Sequence, residues 1–127
     1  MVNKPKAKGT AAETRVVRFI EAHGLDCIRI VQHGDKDQGD IHIFGPDGYM
    51  KYMLEVKAGK QTLKAGRKQK EDWLAETRAE SENSDLELGY LVIAKHGSSV
   101  RNYEVWSKDG RMFWYLDEFV LWLKGGL

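Results

Sequence analysis

The run from Gly39 to Lys57, GDIHIFGPDGYMKYMLEVK, constrains the fold more than any other stretch, because its two alternating halves around a turn read as a β-hairpin. Side chains on a strand point to opposite faces with a period of two. Ile41 and Ile43 therefore share one face of the first strand, and Asp40, His42 and Phe44 share the other. On the second strand Tyr52, Leu54 and Val56 form the apolar set, with Lys51, Met53, Glu55 and Lys57 opposite. Burying both apolar sets on one side of the ladder brings Asp40, Glu55 and Lys57 together on the other.

The turn gives a second view of the register. An Asp47-Gly48 turn, or a four-residue loop from Pro46 to Tyr49, pairs residues whose numbers add to 95 and sets Asp40 opposite Glu55. A three-residue loop Pro46-Asp47-Gly48 with a bulge pairs numbers adding to 94 and would part the two acids. The apolar pattern selects 95, since a slip by one residue exposes a whole hydrophobic face.

Two carboxylates on adjacent strands, about 5 Å apart at Cβ, repel unless a cation lies between them. Oxygen donors with open positions suit Mg2+ or Mn2+, and the chain has no paired cysteines for zinc. Lys57 would stand beside that cation. The competing reading is three solvated charges on the outer face of a hairpin.

Length and composition bound the rest. A chain of 127 residues is expected to be one domain that buries about two thirds of its unfolded surface without staples. Cys27 is the only cysteine, which excludes an intrachain disulfide and suits a reducing interior. The opening MVNKPKAKG lacks the apolar core of a signal peptide, and no apolar run reaches membrane-spanning length, so a cytoplasmic protein without membrane contact is expected. The net charge of +1 hides strong segregation. Residues 1–18 carry a balance of +4, residues 57–70 carry +6 with no acid, and residues 71–87 swing to −6. Basic segments of this kind follow phosphates or are simply solvated. The candidate nucleic-acid contacts are Lys4, Lys6, Lys8, Arg15, Lys60, Lys64, Arg67, Lys68 and Lys95.

Along the chain, residues 1–9 read as a flexible basic arm and 10–127 as the domain. Thr10 to Glu13 matches a capping box, opening a helix that ends at Gly24, with Val16, Val17 and Ile20 as its buried stripe. Glu13 borders that stripe, either as cap or as a third carboxylate. Leu25 to Gln32 reads as a strand, and His33 to Gly39 as a loop in which Asp35 and Asp37 are solvated and His33 is a loop or substrate contact. A helix over about 62–80 follows the hairpin, with Gln69 sharing the face of Trp73 and Thr77, either reaching the lysine or a phosphate or standing at the boundary. After an acidic loop, Leu88 to Ala94 reads as a central strand covered on both sides, and Lys95 to Ser99 as a polar loop where ligands often bind. A second hairpin pairs Tyr103–Trp106 with Met112–Trp114. The last helix buries Leu116, Phe119, Val120 and Leu123, leaving Leu121 and Trp122 for a second subunit.

In this order, with Gly39-Asp40, Glu55-Val56-Lys57, a glutamate in the first helix and a glutamine in the second, residues 9–106 resemble the PD-(D/E)XK nuclease superfamily, and within it the archaeal-type Holliday-junction resolvases and related phage enzymes. The resemblance implies an α/β (α+β), restriction-endonuclease-like core, a mixed sheet flanked by helices in the order α-β-β-β-α-β-β-β-α. It implies an Mg2+-dependent endodeoxyribonuclease with catalytic Glu13, Asp40, Glu55, Lys57 and Gln69. Asp40, Glu55, the Val56 carbonyl and Glu13 would hold metal, and the partners would be branched or four-way DNA and a second copy of the chain. If such a chain is phage-encoded, its place is the host cytoplasm. Two departures stand out: Gly39 replaces the proline of the motif, and His33 to Gln38 lacks the serine usual in the resolvase branch. A restriction-like or nicking duplex endonuclease and a catalytically silent nucleic-acid-binding module are the alternatives.

Overall fold

The computed structural model describes residues 4–31 and 37–125, with side chains from Ala11 onward. Among these residues three helices and a six-stranded mixed sheet follow one another as α1 (Lys4–Ala22), β1 (Cys27–Arg29), β2 (Ile41–Phe44), β3 (Met50–Gly59), α2 (Arg67–Ser84), β4 (Leu88–Lys95), β5 (Glu104–Ser107), β6 (Phe113–Tyr115) and α3 (Leu116–Leu123), with 3-10 turns at Lys60–Leu63 and Val100–Asn102. The strands lie in chain order, and β3 and β4 are the parallel pair, which requires the crossover that α2 supplies.

The alternation in the hairpin sets the two faces of this sheet. Ile41, Ile43, Leu54 and Val56 join Tyr90, Val92 and Ala94 in the larger core, beneath Ala12, Val16 and Ile20 of α1 and Leu116, Phe119 and Val120 of α3. Each of the valine, leucine, isoleucine and phenylalanine side chains among these contributes about 1.5–3 kcal/mol when fully buried. On the opposite face Leu91 and Ile93 pack under Trp73 of α2, so β4 is covered on both sides as its apolar run required. The face carrying Glu55 is therefore closed by a helix rather than open to water.

The hairpin combines both registers. Gly45 N–H bonds the Tyr49 carbonyl at 2.8 Å around the three-residue loop, and Phe44 pairs with Met50, a pairing that adds to 94. A bulge between Ile43 and Phe44 then leaves Lys51 as an extra residue on β3, and Ile43 pairs with Tyr52, His42 with Met53 and Ile41 with Leu54, all adding to 95.

Several boundaries differ from the sequence expectation. α1 begins at Lys4, so residues 4–9 are helical rather than an arm and Thr10 is not a cap. Pro5 is tolerated there because the first turn has no N–H partner to lose. β1 is confined to three residues. α2 starts at Arg67, after the 3-10 turn, and runs on through Ser84, absorbing part of the expected acidic loop. Gly89 allows this last stretch of α2 to settle on the sheet, for a Cβ there would lie 2.9 Å from Ser81 Cβ.

Candidate active site: a buried carboxylate cluster beside Lys57

Asp40 stands immediately before β2 and is fixed from two sides. Its own N–H bonds the Leu54 carbonyl at 2.9 Å, and its Oδ2 accepts the Val56 N–H at 2.7 Å. Gly39 sets this entry: its φ is +90°, a conformation closed to proline, and a Cβ there would collide with the Met53 side chain. The departure from the proline of the motif is thus a requirement of this backbone. The Val56 N–H and C=O point to the same side of β3, toward the place where β2 has just begun, so the Val56 carbonyl is directed to the Asp40 side as well.

Glu55 is 5% exposed, which removes the reading of solvated charges on an outer face. Its Oε2 lies 3.2 Å from Lys57 Nζ, and that ammonium also donates to Glu76 Oε2 at 2.7 Å. Glu80, 4% exposed, comes down from α2, and one carboxylate oxygen from each of Glu55, Glu76 and Glu80 lie within 4.8 Å of one another. Among the described residues Glu55 Oε1 and Glu80 Oε1 are buried and meet no hydrogen-bond donor other than a proton carried by a neighbouring carboxyl. Only a proton shared among these carboxyls, or a cation, compensates such oxygens.

The electrostatics say the same. Burial, then the nearby charges of Asp40 and Glu80, push the Glu55 carboxyl far above the usual range. Burial together with Asp37 and Asp40 pushes Glu80 up to about 8, against the opposing hydrogen bond from Glu55. Asp40 is raised by burial despite its bonds to Glu55 and Val56. Burial works against the Lys57 ammonium, but Glu76 and Glu55 outweigh it and raise its pKa. Without a cation the cluster therefore retains protons at neutral pH; a divalent ion would replace them.

Of the residues singled out in the sequence, Asp40, Glu55, Val56 and Lys57 converge. Glu13 stands nearby on α1, its pKa raised by burial and by the Asp40 charge, while Arg29 Nε and an Arg29 terminal nitrogen donate to Glu13 Oε1 at 3.3 and 3.2 Å. Gln69 does not converge: its side chain is exposed in the first turn of α2, not on an inward face. The inward polar residues of that helix are Thr77, Glu80 and Ser81. Glu80 and Glu76 were not anticipated, although Glu80 follows Trp73 and Thr77 at helical spacing. Asp37 is not simply solvated, since its Oδ1 accepts the Gly39 N–H at 2.9 Å and its charge acts on Glu80. His33 and Asp35, and the side chains of Lys4, Lys6 and Lys8, lie outside the described residues. Lys60, Lys64, Arg67 and Lys68 are exposed, in line with a solvated or phosphate-following role.

The donor set, all carboxylate and carbonyl oxygen, fits Mg2+ or Mn2+. No protein-family model matches the chain, and a search of curated proteins finds none similar to it.

Proposed function

We propose that the chain is a metal-dependent endonuclease that hydrolyses DNA phosphodiester bonds, on a fold of the restriction-endonuclease type. The observation that carries this reading is the pair of buried carboxylate oxygens of Glu55 and Glu80 that among the described residues meet no donor but a carboxyl proton, with Asp40 and the Lys57 ammonium beside them. A solvated hairpin or a silent binding module has no use for so costly a cluster.

Asp40, Glu55, the Val56 carbonyl and Glu80 are the groups that would hold Mg2+ or Mn2+. When bound, such an ion supplies a water of lowered pKa and polarises a phosphoryl oxygen. Lys57 carries the chain's own contribution to charge stabilisation: its ammonium, held by Glu76 and Glu55, faces the negative charge that grows on the phosphoryl oxygens. Glu76 positions that ammonium. The Val56 N–H keeps the Asp40 carboxylate from swinging away.

A branched or four-way substrate and a two-fold dimer are the finer reading. Leu121 and Trp122 on α3, 45% and 36% exposed, support an apolar contact with a second copy. The test is incubation with labelled four-way junction, flap, mismatch and linear duplex, with Mg2+ or with chelator. Mg2+-dependent cleavage lost in Asp40→Asn supports the nuclease; paired symmetric nicks near a branch support the resolvase, and single nicks on any duplex a general nicking enzyme. No cleavage of any of them by the wild type would sink the reading.

A further inference from the structure

At the C-terminal ends of the parallel strands β3 and β4 a cavity of about 510 Å3 opens between the sheet and α1. Its floor is made of small residues: Ala58 and Ala94, paired across the two strands, with Ala11 from α1 above them. Larger side chains at these three positions would fill it. Its rim is formed by the cations Arg15 and Lys95, the His96 ring and the hydroxyls of Ser98 and Ser99. Among the described residues no aspartate or glutamate lines it, in a chain with 19 of them.

Arg15 is not a free surface cation. Its Nε donates to the hydroxyl of Tyr103 at 2.8 Å, and Tyr103 is only 3% exposed, so the terminal guanidinium nitrogens are presented from a fixed stem. A pre-set guanidinium is the donor best matched to the paired oxygens of a phosphate. The end of β4 at Lys95 and the turn after it are tied as well, because the His96 N–H bonds Thr62 Oγ1 at 2.9 Å and the Ser98 N–H bonds the Lys95 carbonyl at 3.0 Å. Arg15 and Lys95 are exposed, as Lys60, Lys64 and Lys68 are, but they stand on braced elements around a concave surface.

The position matters as much as the charge. Gly59, which borders the cavity, lies four residues beyond Glu55 on β3, about 13 Å along the strand. The carboxylates face α2 and the cavity faces α1, so a DNA strand that reaches both also passes from one face of the sheet to the other, and about 13 Å, or roughly four nucleotides of rise on one strand, is the least length of that path.

We infer that this acid-free cavity is a second substrate site, which grips a non-scissile phosphodiester of a DNA strand whose neighbouring segment reaches the Glu55 cluster. The inference rests on the nuclease reading and adds the path of the strand to it.

The test is binding of a labelled duplex and a four-way junction in chelator, across a salt series, so that cleavage plays no part. Arg15→Gln and Lys95→Gln should each weaken binding several-fold for every sequence and reduce the slope of log K against log salt by about 1. Ala11→Leu, at an exposed position, and Ala58→Leu should weaken binding by filling the cavity with no change of charge, which separates a shaped site from diffuse surface attraction. Lys51→Gln, at the far end of β3, should change neither affinity nor slope. Wild-type affinity and slope in folded Arg15→Gln and Lys95→Gln would overturn the inference while leaving carboxylate-dependent cleavage intact. A wild-type protein that binds no nucleic acid would overturn the nuclease reading with it. Saturation by inorganic phosphate with no competition against DNA would assign the cavity to a free anion and overturn it too.

Discussion

The backbone N–H of Val56 meets Asp40 Oδ2 at 2.7 Å, so the strand that carries Glu55 and Lys57 also fixes the carboxylate facing them. One element thus sets the mutual geometry of three groups. Glu55 and Lys57 lie within β3, Asp40 is tied to that strand by its N–H and its carboxylate, and Glu76 and Glu80 come from α2, so the residues of the cluster can be removed singly with the framework left in place.

Asp40→Asn and Glu55→Gln are expected to reduce cleavage to background while the fold persists. Each removes one of several crowded carboxylates, so the metal-free melting temperature should hold or rise, and the rise on adding Mg2+ should shrink. Thermal melts with and without Mg2+, beside a cleavage assay, check both halves. Near wild-type cleavage in either variant would withdraw the site.

Lys57→Ala should lower kcat by about 100- to 1,000-fold, the usual cost of losing a donor aimed at developing charge. Glu76→Gln, which leaves the ammonium with only Glu55, should cost less, about 10-fold. Mg2+ affinity measured by calorimetry should stay close to wild type for Lys57→Ala. Equal losses in the two variants would mean that Glu76 does more than position the lysine.

The raised carboxyl of Glu80 gives the metal-free protein a pH dependence of definite sign. A carboxyl whose pKa is higher folded than unfolded binds more protons in the native state, so stability is full below its ordinary value of 4.5 and is lost as pH rises through about 8. Denaturant midpoints of the chelated protein should fall between pH 5 and pH 8; Mg2+ should flatten the profile, and Glu80→Gln should make it shallower, the raised carboxyls of Glu55 and Asp40 keeping the remaining slope. A midpoint that climbs over this window would contradict the burial of Glu80.

Gly39→Ala should destabilise by about 1–3 kcal/mol, because a side chain is forced into a left-handed conformation and against Met53. Met53→Ala empties a fully buried site and carries its own cost, so the collision is read from a double-mutant cycle: Gly39→Ala should cost less in the Met53→Ala background than in the wild type. A cost of Gly39→Ala that vanishes in that background, read from chemical denaturation, would place the whole of it in the contact.

How much of this was legible in the sequence depended on whether a signal was apolar. The faces of β2 and β3 followed from the alternation around Ile41, Ile43, Leu54 and Val56, and with them the convergence of Asp40, Glu55 and Lys57. The continuous run of β4 announced cover on both sides, and Leu116, Phe119 and Val120 announced the inner face of α3. In α2 the same method misled. Below Trp73 its buried stripe is Thr77, Glu80 and Ser81, polar residues that hydrophobic periodicity cannot weigh, and the stripe was extended backward to Gln69 instead. The early start of α1 was hidden for a related reason, because Lys4 to Lys8 form helix without an apolar stripe to mark it.

The extra residue at Lys51 separates the two ends of the hairpin. Beyond it the chain follows the geometry of a three-residue tip; before it the strands keep the offset that the carboxylates need. A change in the length of the tip can be taken up by gaining or losing that one irregular residue, instead of being passed down the ladder. The outer end of the hairpin is in this sense free to drift in sequence and length, and the chemistry at its base is insulated from the drift.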